Sequence, residues 1–309
     1  MPSSSAQGAE GRLATAAGAG CYLMWGVIPL LFQLMGHMGV SAWEIMANRI
    51  VWGTPTALLF VLAARQWPEL MAAFRKPRVM AWLALTTVLI AGNWSLFIWA
   101  VNSGRVLETS LGYYINPLIA MAGGALVFRE RIDRIGQIAI GLAVIGIAIQ
   151  TAAIGRLPVV SLALALSFGG YGVVRKLVPA SAQTGLFIEC LFMIVPAVAY
   201  MLWLQTHGAG HLGAAPATTF WLVACGPITI MPLLMFSWSA RRIPLSVLGF
   251  LQFITPTITF VIGTRQGEAF TPLRAASFVF IWGGAAVFTW GAWRRSRSAS
   301  AATVLAEPA

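Results

Sequence analysis

Three ionisable side chains stand inside long apolar stretches, and they are the first candidates for chemistry in this sequence. Glu44 and Arg49 fall in WEIMANRIVWG, and Glu189 falls in GLFIECLF. An ionisable group at the centre of a membrane span costs at least about 2.5–3.5 kcal/mol, so we expect these groups to face protein or water. Two interpretations of Glu44 and Glu189 stay open. They cap or tether helices about one turn inside the membrane surface, or they form a matched pair that takes up protons.

Arg49 is expected to point away from Glu44. On one α-helix, Glu44 and Asn48 share a face because they are four residues apart, whereas Arg49 is rotated by roughly 140° from Glu44. Arg49 therefore needs a partner from another helix or from a solute. Both a structural ion pair and a contact with an anion or carboxylate would meet this need.

The other candidates are aromatic and amide side chains close to these charges. Aromatic faces with few amides suit a flat or amphipathic solute. Trp25, Trp94, Trp99 and Trp238 are either cavity residues or members of the aromatic belts at the membrane surface, where tryptophan is common. The predicted solute-binding residues are Trp25, Arg49, Asn93, Trp94, Tyr113, Tyr114, Asn116, Tyr171, Gln252 and Phe253.

Catalytic constellations are missing from the sequence. Asp133 is the single aspartate, which excludes a paired-aspartate intramembrane protease. His37, His207 and His211 lie in or beside loops, so a buried serine has no histidine base. No Walker A or HExxH pattern occurs, and no ligand cluster suggests a metal site. We therefore expect no enzymatic activity, no metal and no cofactor.

Composition indicates the elements that must position these residues. The 309-residue chain is 59% hydrophobic and 9% charged, whereas soluble domains carry about 25% charged residues. Period-two alternation typical of a β-barrel is not seen, so the sequence predicts an all-α polytopic membrane protein with ten transmembrane helices. The three cysteines are expected to be free core residues. The ten segments are 14–36, 43–64, 79–101, 106–128, 135–154, 157–175, 184–204, 218–240, 245–264 and 273–293.

The basic residues predict the orientation of these segments. Fifteen of the twenty Lys and Arg residues lie in alternate connections and in the two termini. The opposite connections hold Arg105, Arg156, Arg265 and Arg274. By the positive-inside rule, both termini are cytoplasmic and the protein spans the bacterial cytoplasmic membrane. The net charge of +11 is thus explained by topology rather than by nucleic-acid binding.

The chain also repeats itself. FIWAV at 97–101 matches FSWSA at 236–240, and WGV at 25–27 matches YGV at 171–173. Five spans per repeat is an odd number, so the second copy is expected to be inverted in the membrane, as in many secondary transporters. The predicted units are a disordered tail at 1–12, repeats at 13–154 and 155–293, and a basic disordered tail at 294–309.

A proline occurs at the same place in each repeat. Pro117 in LGYYINPLIA and Pro256 in GFLQFITPTI each follow a repeat tryptophan by eighteen residues. We predict helix breaks at both prolines, because irregular backbone at membrane depth is tolerated where it lines a cavity. A simple proline kink away from any cavity is the alternative.

Several motifs resemble a known family. They are WGVIPLLFQL, WEIMANRIVWG, AGNWSLFIWAVN, LETSLGYYINPL, YGVVRKLV, AQTGLFIE and SVLGFLQFITPT, spread over residues 13–293. Together they resemble the RarD branch of the EamA family, in the drug/metabolite transporter superfamily. The resemblance implies ten helices in two inverted five-helix repeats around a cavity that opens to alternate sides. The branch is commonly described as chloramphenicol-sensitivity proteins or drug/metabolite permeases.

These patterns predict a secondary transporter. The expected activity is proton-coupled export of a small metabolite or amphipathic compound, with Glu44 and Glu189 as proton-coupling residues and a small solute, protons and the lipid bilayer as partners. A monomer and a homodimer both remain open. A facilitative uniporter or importer would need no titratable residue, and a non-transporting scaffold or regulator would carry no solute.

Overall fold

The structure is a computed structural model that describes residues 4–128, 133–240, 242–243, 247 and 251–306. Eleven α-helices account for nearly all of these residues. They are α1 (Ser4–His37), α2 (Ala42–Ala63), α3 (Trp67–Phe74), α4 (Pro77–Asn102), α5 (Val106–Phe128), α6 (Arg134–Ile154), α7 (Val159–Leu177), α8 (Ala182–Thr206), α9 (Pro216–Ala240), α10 (Ile254–Arg265) and α11 (Pro272–Ala306).

Eight of these helices are long and apolar enough to cross a membrane. They are α1, α2, α4, α6, α7, α8, α9 and α11. The predicted fourth span coincides with α5, which is not among the eight. The predicted ninth span, 245–264, falls partly outside the described residues. The chain is an all-helical, multi-pass membrane protein, as its composition predicted.

The helix ends differ from the prediction in two places. α1 begins at Ser4 and α11 continues to Ala306, although both tails were predicted to be disordered. Each tail extends the adjoining span, and the C-terminal tail is rich in alanine, a strong helix former. The short helix α3 was not predicted at all. Its Leu70 and Ala73 are three residues apart and both are buried, so it lies against the ends of its neighbours.

Apolar side chains cover the outside of the bundle. Leu126, Val195 and Val88 are 83%, 72% and 69% exposed, whereas Asn93 and Glu189 are fully buried. A water-soluble protein buries such residues the other way round. The arrangement is that of a protein whose outer surface contacts lipid and whose polar groups face inward.

The most extensive helix contacts join helices before residue 155 to helices after it. The pairs are α6–α11, α5–α7, α2–α8, α2–α9, α1–α9, α4–α7, α5–α10, α1–α10 and α4–α8. Exchanging α1, α2, α4, α5 and α6 for α7, α8, α9, α10 and α11, in that order, converts this set of pairs into itself. For example, α1–α9 becomes α7–α4, and α5–α7 becomes α10–α1. The two parts of the chain, before and after residue 155, therefore pack against each other over many helices, and the same set of helix contacts occurs twice.

Glycines permit two of these close approaches. A Cβ atom on Gly226 of α9 would lie 2.5 Å from the backbone nitrogen of Gly53 on α2. A Cβ atom on Gly112 of α5 would lie 2.8 Å from the carbonyl oxygen of Ser161 on α7. At both crossings, backbone packs on backbone, which only a residue without a side chain allows.

Two carboxylates, one in a loop and one in the short helix α3, also connect the two parts of the chain. Glu268, after α10, accepts hydrogen bonds from the backbone N–H groups of Val106 and Leu107 at 2.5 and 3.0 Å. Burial raises the pKa of the Glu268 carboxyl above its ordinary value, and these two donors oppose the shift. Glu69 in α3 likewise accepts from the backbone N–H of Ser181 at 2.5 Å. Each carboxylate satisfies free donors at the start of a helix in the other part of the chain.

Candidate functional site

Arg49 lies at the centre of the molecule on α2. It is 8% exposed, and its guanidinium carbon is 4.0 Å from the ring centroid of Trp94 and 5.7 Å from that of Phe32. Trp94 is on α4 and Phe32 is on α1. The side chain of Arg49 is therefore held between three helices by aromatic faces, which attract a cation.

Arg49 has no carboxylate partner in the part of the chain that the structure describes. Seven of the nine acidic residues belong to that part, and the two others are Glu130 and Glu307. The structural ion pair considered from the sequence is thus not formed with any described residue. The contacts of the seven are Glu10 with Arg242, Glu44 with His211, Glu69 with the N–H of Ser181, Glu108 with Arg105, Asp133 with the N–H of Gly136, Glu189 with Arg175, and Glu268 with the N–H groups at the start of α5.

Other buried polar atoms near the middle of the bundle also lack protein partners. Among the described residues, no hydrogen bond is made by Nε of Arg49, Nε1 of Trp52, or the side-chain oxygens of Asn48, Asn93 and Asn116. Buried polar groups in native proteins are hydrogen-bonded in the great majority of cases. An interior with several unsatisfied groups is typical of a site that contacts a solute or water.

A line of aromatic rings leads from Arg49 towards Glu189. Phe32 contacts Phe97 at 6.3 Å between ring centroids, and Phe97 contacts Tyr113 at 5.5 Å. Tyr113 contacts Phe168 at 6.3 Å, and Phe168 contacts Tyr171 at 5.9 Å. The rings come from α1, α4, α5 and α7. The row of rings connects α1, α4 and α5 of the first predicted repeat to α7 of the second. It includes the predicted residues Tyr113 and Tyr171.

Glu189 is fully buried on α8 and has three donors around its carboxylate. The hydroxyl of Thr86 donates to Oε1 at 2.6 Å, and the hydroxyl of Tyr171 donates to Oε2 at 3.2 Å. Nε of Arg175 lies 3.6 Å from Oε1. The carboxylate therefore connects α4, α7 and α8, and its negative charge has a cation beside it.

Glu44 is buried at the start of α2 and binds the connection between α8 and α9. Its Oε1 accepts the backbone N–H of His211 at 2.7 Å, and its Oε2 lies 2.8 Å from Nδ1 of the same residue. The helix itself is capped by Ser41, whose hydroxyl accepts the N–H of Glu44 at 3.2 Å. Glu44 therefore tethers two parts of the chain, and its role in proton uptake stays a prediction.

Tyr114 and Phe253 belong to the contact between α5 and the segment that leads into α10. Their rings stack with centroids 6.1 Å apart, and the Tyr114 hydroxyl lies 2.6 Å from the hydroxyl of Thr257. Gln252 is adjacent to Phe253 and half-buried. Tyr114 and Phe253 belong to a different apolar cluster from Tyr113, which packs on the cluster that contains Phe32 and Phe97.

The remaining predicted residues lie in different surroundings. Asn93 is buried and donates to the carbonyl of Leu164 at 3.0 Å and the hydroxyl of Ser167 at 2.9 Å, which ties α4 to α7. Trp25 packs on the apolar cluster that contains Phe32 and Phe97 and on a second cluster that contains Tyr22. Asn116 is buried on α5.

The two prolines differ in their backbone surroundings. α5 is helical on both sides of Pro117, so no break occurs there. Gln252 and Phe253 form a turn between helical Leu251 and α10, and Pro256 lies in the first turn of α10, so the predicted ninth span is interrupted just before this proline. A proline in a first turn removes an N–H that has no partner within the helix, so it costs no hydrogen bond there. The two regions do meet, because the hydroxyl of Ser110 on α5 donates to the carbonyl of Pro256 at 2.7 Å.

Two tryptophans considered as cavity residues lie beside loop arginines. The guanidinium carbon of Arg105 is 5.0 Å from the ring of Trp99, and that of Arg242 is 4.4 Å from the ring of Trp238. Trp99 is 38% exposed. These positions fit the surface belt rather than the centre of the bundle.

The three cysteines are free and buried, as predicted. Cys190 on α8 and Cys225 on α9 lie close enough to Arg49 to interact with its charge. The centre of the molecule is thus bordered by helices from both parts of the chain.

Several residues around the site were not predicted. Phe32 and Thr86 were not considered as site residues. Phe97 was expected to share a helix face with Asn93 and Trp94 but was not among the predicted solute-binding residues. Arg175 was counted only as a topological charge, and His211 was set aside as a loop residue. No local pattern separates such residues from their neighbours, because their roles come from contacts between distant helices.

Comparison with known proteins identifies the family. The model of the EamA-like transporter family matches residues 13–152. The chain is 40% identical over 274 residues to an uncharacterized transporter of Vibrio cholerae serotype O1, covering 87% of this chain and 89% of that one. The chain belongs to the EamA family and is a membrane transporter by descent, which confirms the resemblance seen in its motifs.

Relatives within the family include RarD proteins. The chain is 39% identical over 269 residues to Protein RarD of Escherichia coli K12, covering 86% of this chain and 90% of the relative. It is 30% identical over 275 residues to the Chloramphenicol-sensitive protein RarD of Pseudomonas aeruginosa, covering 86% and 92%. One solved crystal structure superposes with a TM-score of 0.58 at 20% identity, over 91% of this chain and 98% of its own, which shows a shared fold.

Proposed function

We propose that this protein is a secondary active transporter that works by alternating access. The observation that carries the proposal is the packing scheme that is unchanged when the two parts of the chain are exchanged. Ten transmembrane helices in two inverted repeats, residues 13–154 and 155–293, would produce such a scheme. In transporters of this type, the site lies between the repeats and alternate access follows from movement of one repeat against the other.

The central region around Arg49 is the proposed solute path. Trp94 and Tyr113 lie around Arg49. Trp25 and Tyr171 pack on the same apolar cluster as these two residues, the one that contains Phe32 and Phe97. In this proposal the other predicted residues border the path. Tyr114, Asn116, Gln252 and Phe253, together with the helix positions Pro117 and Pro256, belong to α5, to α10 and to the segment before α10. Asn93 borders the path from α4, where it is hydrogen-bonded to α7.

Glu44 and Glu189 are the proposed proton-coupling residues. Glu189 lies seven residues, or about 10 Å, beyond the first residue of α8, and it is joined to the central rings through Tyr171. Moving one charge across the membrane contributes about 2.3 kcal/mol per 100 mV, which is enough to drive accumulation of a solute. Protonation of Glu189 would weaken its contacts with Arg175 and Tyr171. Because Tyr171 is one of the rings along the proposed path, binding of a proton would then change the lining of that path.

The proposed setting is the bacterial cytoplasmic membrane, with both termini in the cytoplasm. The proposed cargo is a small metabolite or amphipathic compound moved outward. The name of the Pseudomonas relative, Chloramphenicol-sensitive protein RarD, connects that protein with a drug and supports an amphipathic cargo here. The state in the membrane is a monomer or a homodimer, without a cofactor.

Solute flux tests the proposal. Metabolites would be compared without preselection between cells that lack the protein and cells that overproduce it. Solutes that change would then be tested for movement in vesicles that contain the purified protein, with and without a pH gradient. We expect at least one solute to move against its gradient when protons move the other way. If no solute moves in cells or in vesicles, the transport proposal is wrong.

Two other activities predict different results. A facilitative uniporter would move the same solute at the same rate after replacement of both Glu44 and Glu189 by glutamine, with no effect of pH. A scaffold or regulator would show no flux at all. The contact of Glu189 with a cation and two hydroxyl donors favours a coupled mechanism, because a uniporter needs no such group.

A further inference from the structure

Arg49 and Trp52 present hydrogen-bond donors without protein acceptors on one side of α2. They are three residues apart, so their side chains leave the helix close together. Nε of Arg49 and Nε1 of Trp52 are both buried, and neither has an acceptor in the described chain. Two unsatisfied donors within one helical turn point to a ligand that supplies acceptor atoms.

The charge of this region indicates a single negative charge on that ligand. Arg49 is buried and has no carboxylate beside it among the described residues. The other arginine within the bundle, Arg175, is already paired with Glu189 and donates to the carbonyl of Ser181 at 2.7 Å. One unpaired cation balances one anion, and a planar guanidinium matches the two oxygens of a carboxylate.

The surroundings of Arg49 are aromatic rather than polar. Trp94 and Phe32 lie against the guanidinium, and Phe97 and Tyr113 continue the wall. Phosphate or sulfate would find few additional donors here. A ligand with a flat apolar body would place that body on the rings and its acidic group on the guanidinium.

We propose that the solute of this protein is an organic monocarboxylate with a flat apolar body, whose carboxylate binds Arg49 and Trp52. This inference rests on the proposed transport function for its role in the cell. Binding can nevertheless be measured without transport, so the two can fail separately.

The test compares acids with their neutral amides on the purified full-length protein in detergent. The probes are phenylacetate, indole-3-acetate and hexanoate, each titrated beside its amide, with intrinsic tryptophan fluorescence and melting temperature as readouts. Trp94 touches Arg49, so a ligand at Arg49 should change its emission. We expect an aromatic acid to bind at least about tenfold more tightly than its amide, since hydrogen bonds to charged groups are strong.

Variants assign the effect to Arg49. Arg49→Gln should abolish the preference for acid over amide, and Arg49→Lys should keep the charge but weaken the preference because it loses the planar donor pair. Arg105→Gln is the matched control. It removes another arginine that lies over a tryptophan, but Arg105 is 34% exposed and has Glu108 beside it. The control should retain the full preference.

Folding is checked by the same melting curves. Arg49→Gln loses the contacts of the cation with two rings but also removes an unpaired buried charge, so its melting temperature should change little in the absence of ligand. A large drop for Arg49→Gln, restored by Arg49→Lys, would identify a structural ion pair and overturn the proposal.

The remaining outcomes separate the two ideas. Equal binding of acids and amides by the wild type, no binding of any acid, or an unchanged preference in Arg49→Gln would each overturn the anion site. Displacement of the acids by chloride at similar concentration would overturn the organic part of the proposal. Flux of neutral solutes that is unaffected by Arg49→Gln would support the transport proposal and overturn the anion site. Arg49-dependent binding of acids without any flux would support the anion site and overturn the transport proposal.

Discussion

Arg49 and Arg175 both have largely buried side chains, and they differ in what surrounds them. Arg175 has Glu189 at 3.6 Å and also donates to two backbone carbonyls beside α8. Arg49 lies against the rings of Phe32 and Trp94 and has no carboxylate partner among the described residues. A buried ion pair contributes little net stability, whereas removal of one partner leaves a costly charge. The Arg175–Glu189 pair is therefore suited to a change of contacts when a proton binds, and Arg49 is suited to binding an anion.

The first prediction concerns Glu189. Glu189→Gln keeps an acceptor for Thr86 and for Tyr171 but cannot exchange a proton. In vesicles, we expect flux driven by a pH gradient to fall at least about tenfold, while exchange of solute across the membrane without a gradient continues. Glu10→Gln is the control, because Glu10 forms an exposed pair with Arg242. Gradient-driven flux that survives in Glu189→Gln would exclude Glu189 as the coupling residue.

A second prediction concerns the tether at Glu44. His211→Ala removes one of the two hydrogen bonds to the buried carboxylate and leaves the backbone N–H. A hydrogen bond to a charged group contributes about 1.5–3 kcal/mol, so the variant should unfold at a lower temperature. His207→Ala, four residues earlier, is the control because His207 is exposed and contacts only the end of α8. Equal melting of both variants would show that the tether does not stabilise the fold.

At the residue scale, the sequence located the unusual groups but not their partners. Glu44, Arg49 and Glu189 are conspicuous because they interrupt apolar runs, and all three are buried. Their contacts with His211, with Trp94 and with Thr86 join residues that are far apart in the chain. Hydropathy and spacing carry no information on such pairs, so the rotation of Arg49 away from Glu44 was the only contact property that could be derived.

Helices are the scale at which the sequence was most informative. Long apolar runs between polar breaks placed eight of the ten predicted spans within about four residues of helices that are apolar enough to cross a membrane, because a bilayer requires helices of this length. The helical tails and α3 were missed, since polar ends and an eight-residue helix leave no long apolar run to detect. Pro117 misled in the other direction, because α5 continues through it.

The crossing of α2 and α9 leads to a prediction at the element scale. Gly226→Ala would place a Cβ atom 2.5 Å from backbone atoms of Trp52 and Gly53, so the helices must move apart. Overpacking of this kind costs about 1–3 kcal/mol, and the melting temperature should fall. The shift also moves Trp52 and therefore the donors beside Arg49, so acid binding should weaken. Gly92→Ala is the control, because nothing lies within 4 Å of the added atom. Equal stability of both variants would contradict the close crossing.

The whole molecule is organised by exchange of its two parts. Contacts between the parts are more extensive than contacts within either part among the described helices, so neither part is expected to be stable alone. The order of motifs in the sequence predicts an inverted duplication, which stays a prediction, and the helix pairs are those that such a duplication would produce. Helix packing is the same when the molecule is turned over, so it does not determine the orientation in the membrane. That orientation depends on the distribution of Lys and Arg.

That distribution gives a prediction for the intact protein. Ala64 follows α2 on the proposed cytoplasmic side, and Ala214 precedes α9 on the opposite side; both are exposed. The native cysteines Cys21, Cys190 and Cys225 are buried, so they should react little with a membrane-impermeant maleimide. We expect Ala214→Cys to be labelled in intact bacterial cells or spheroplasts. Ala64→Cys should be labelled only after the membrane is opened. Labelling of Ala64→Cys from outside, with Ala214→Cys protected, would reverse the topology and place the Glu44–His211 tether on the cytoplasmic side.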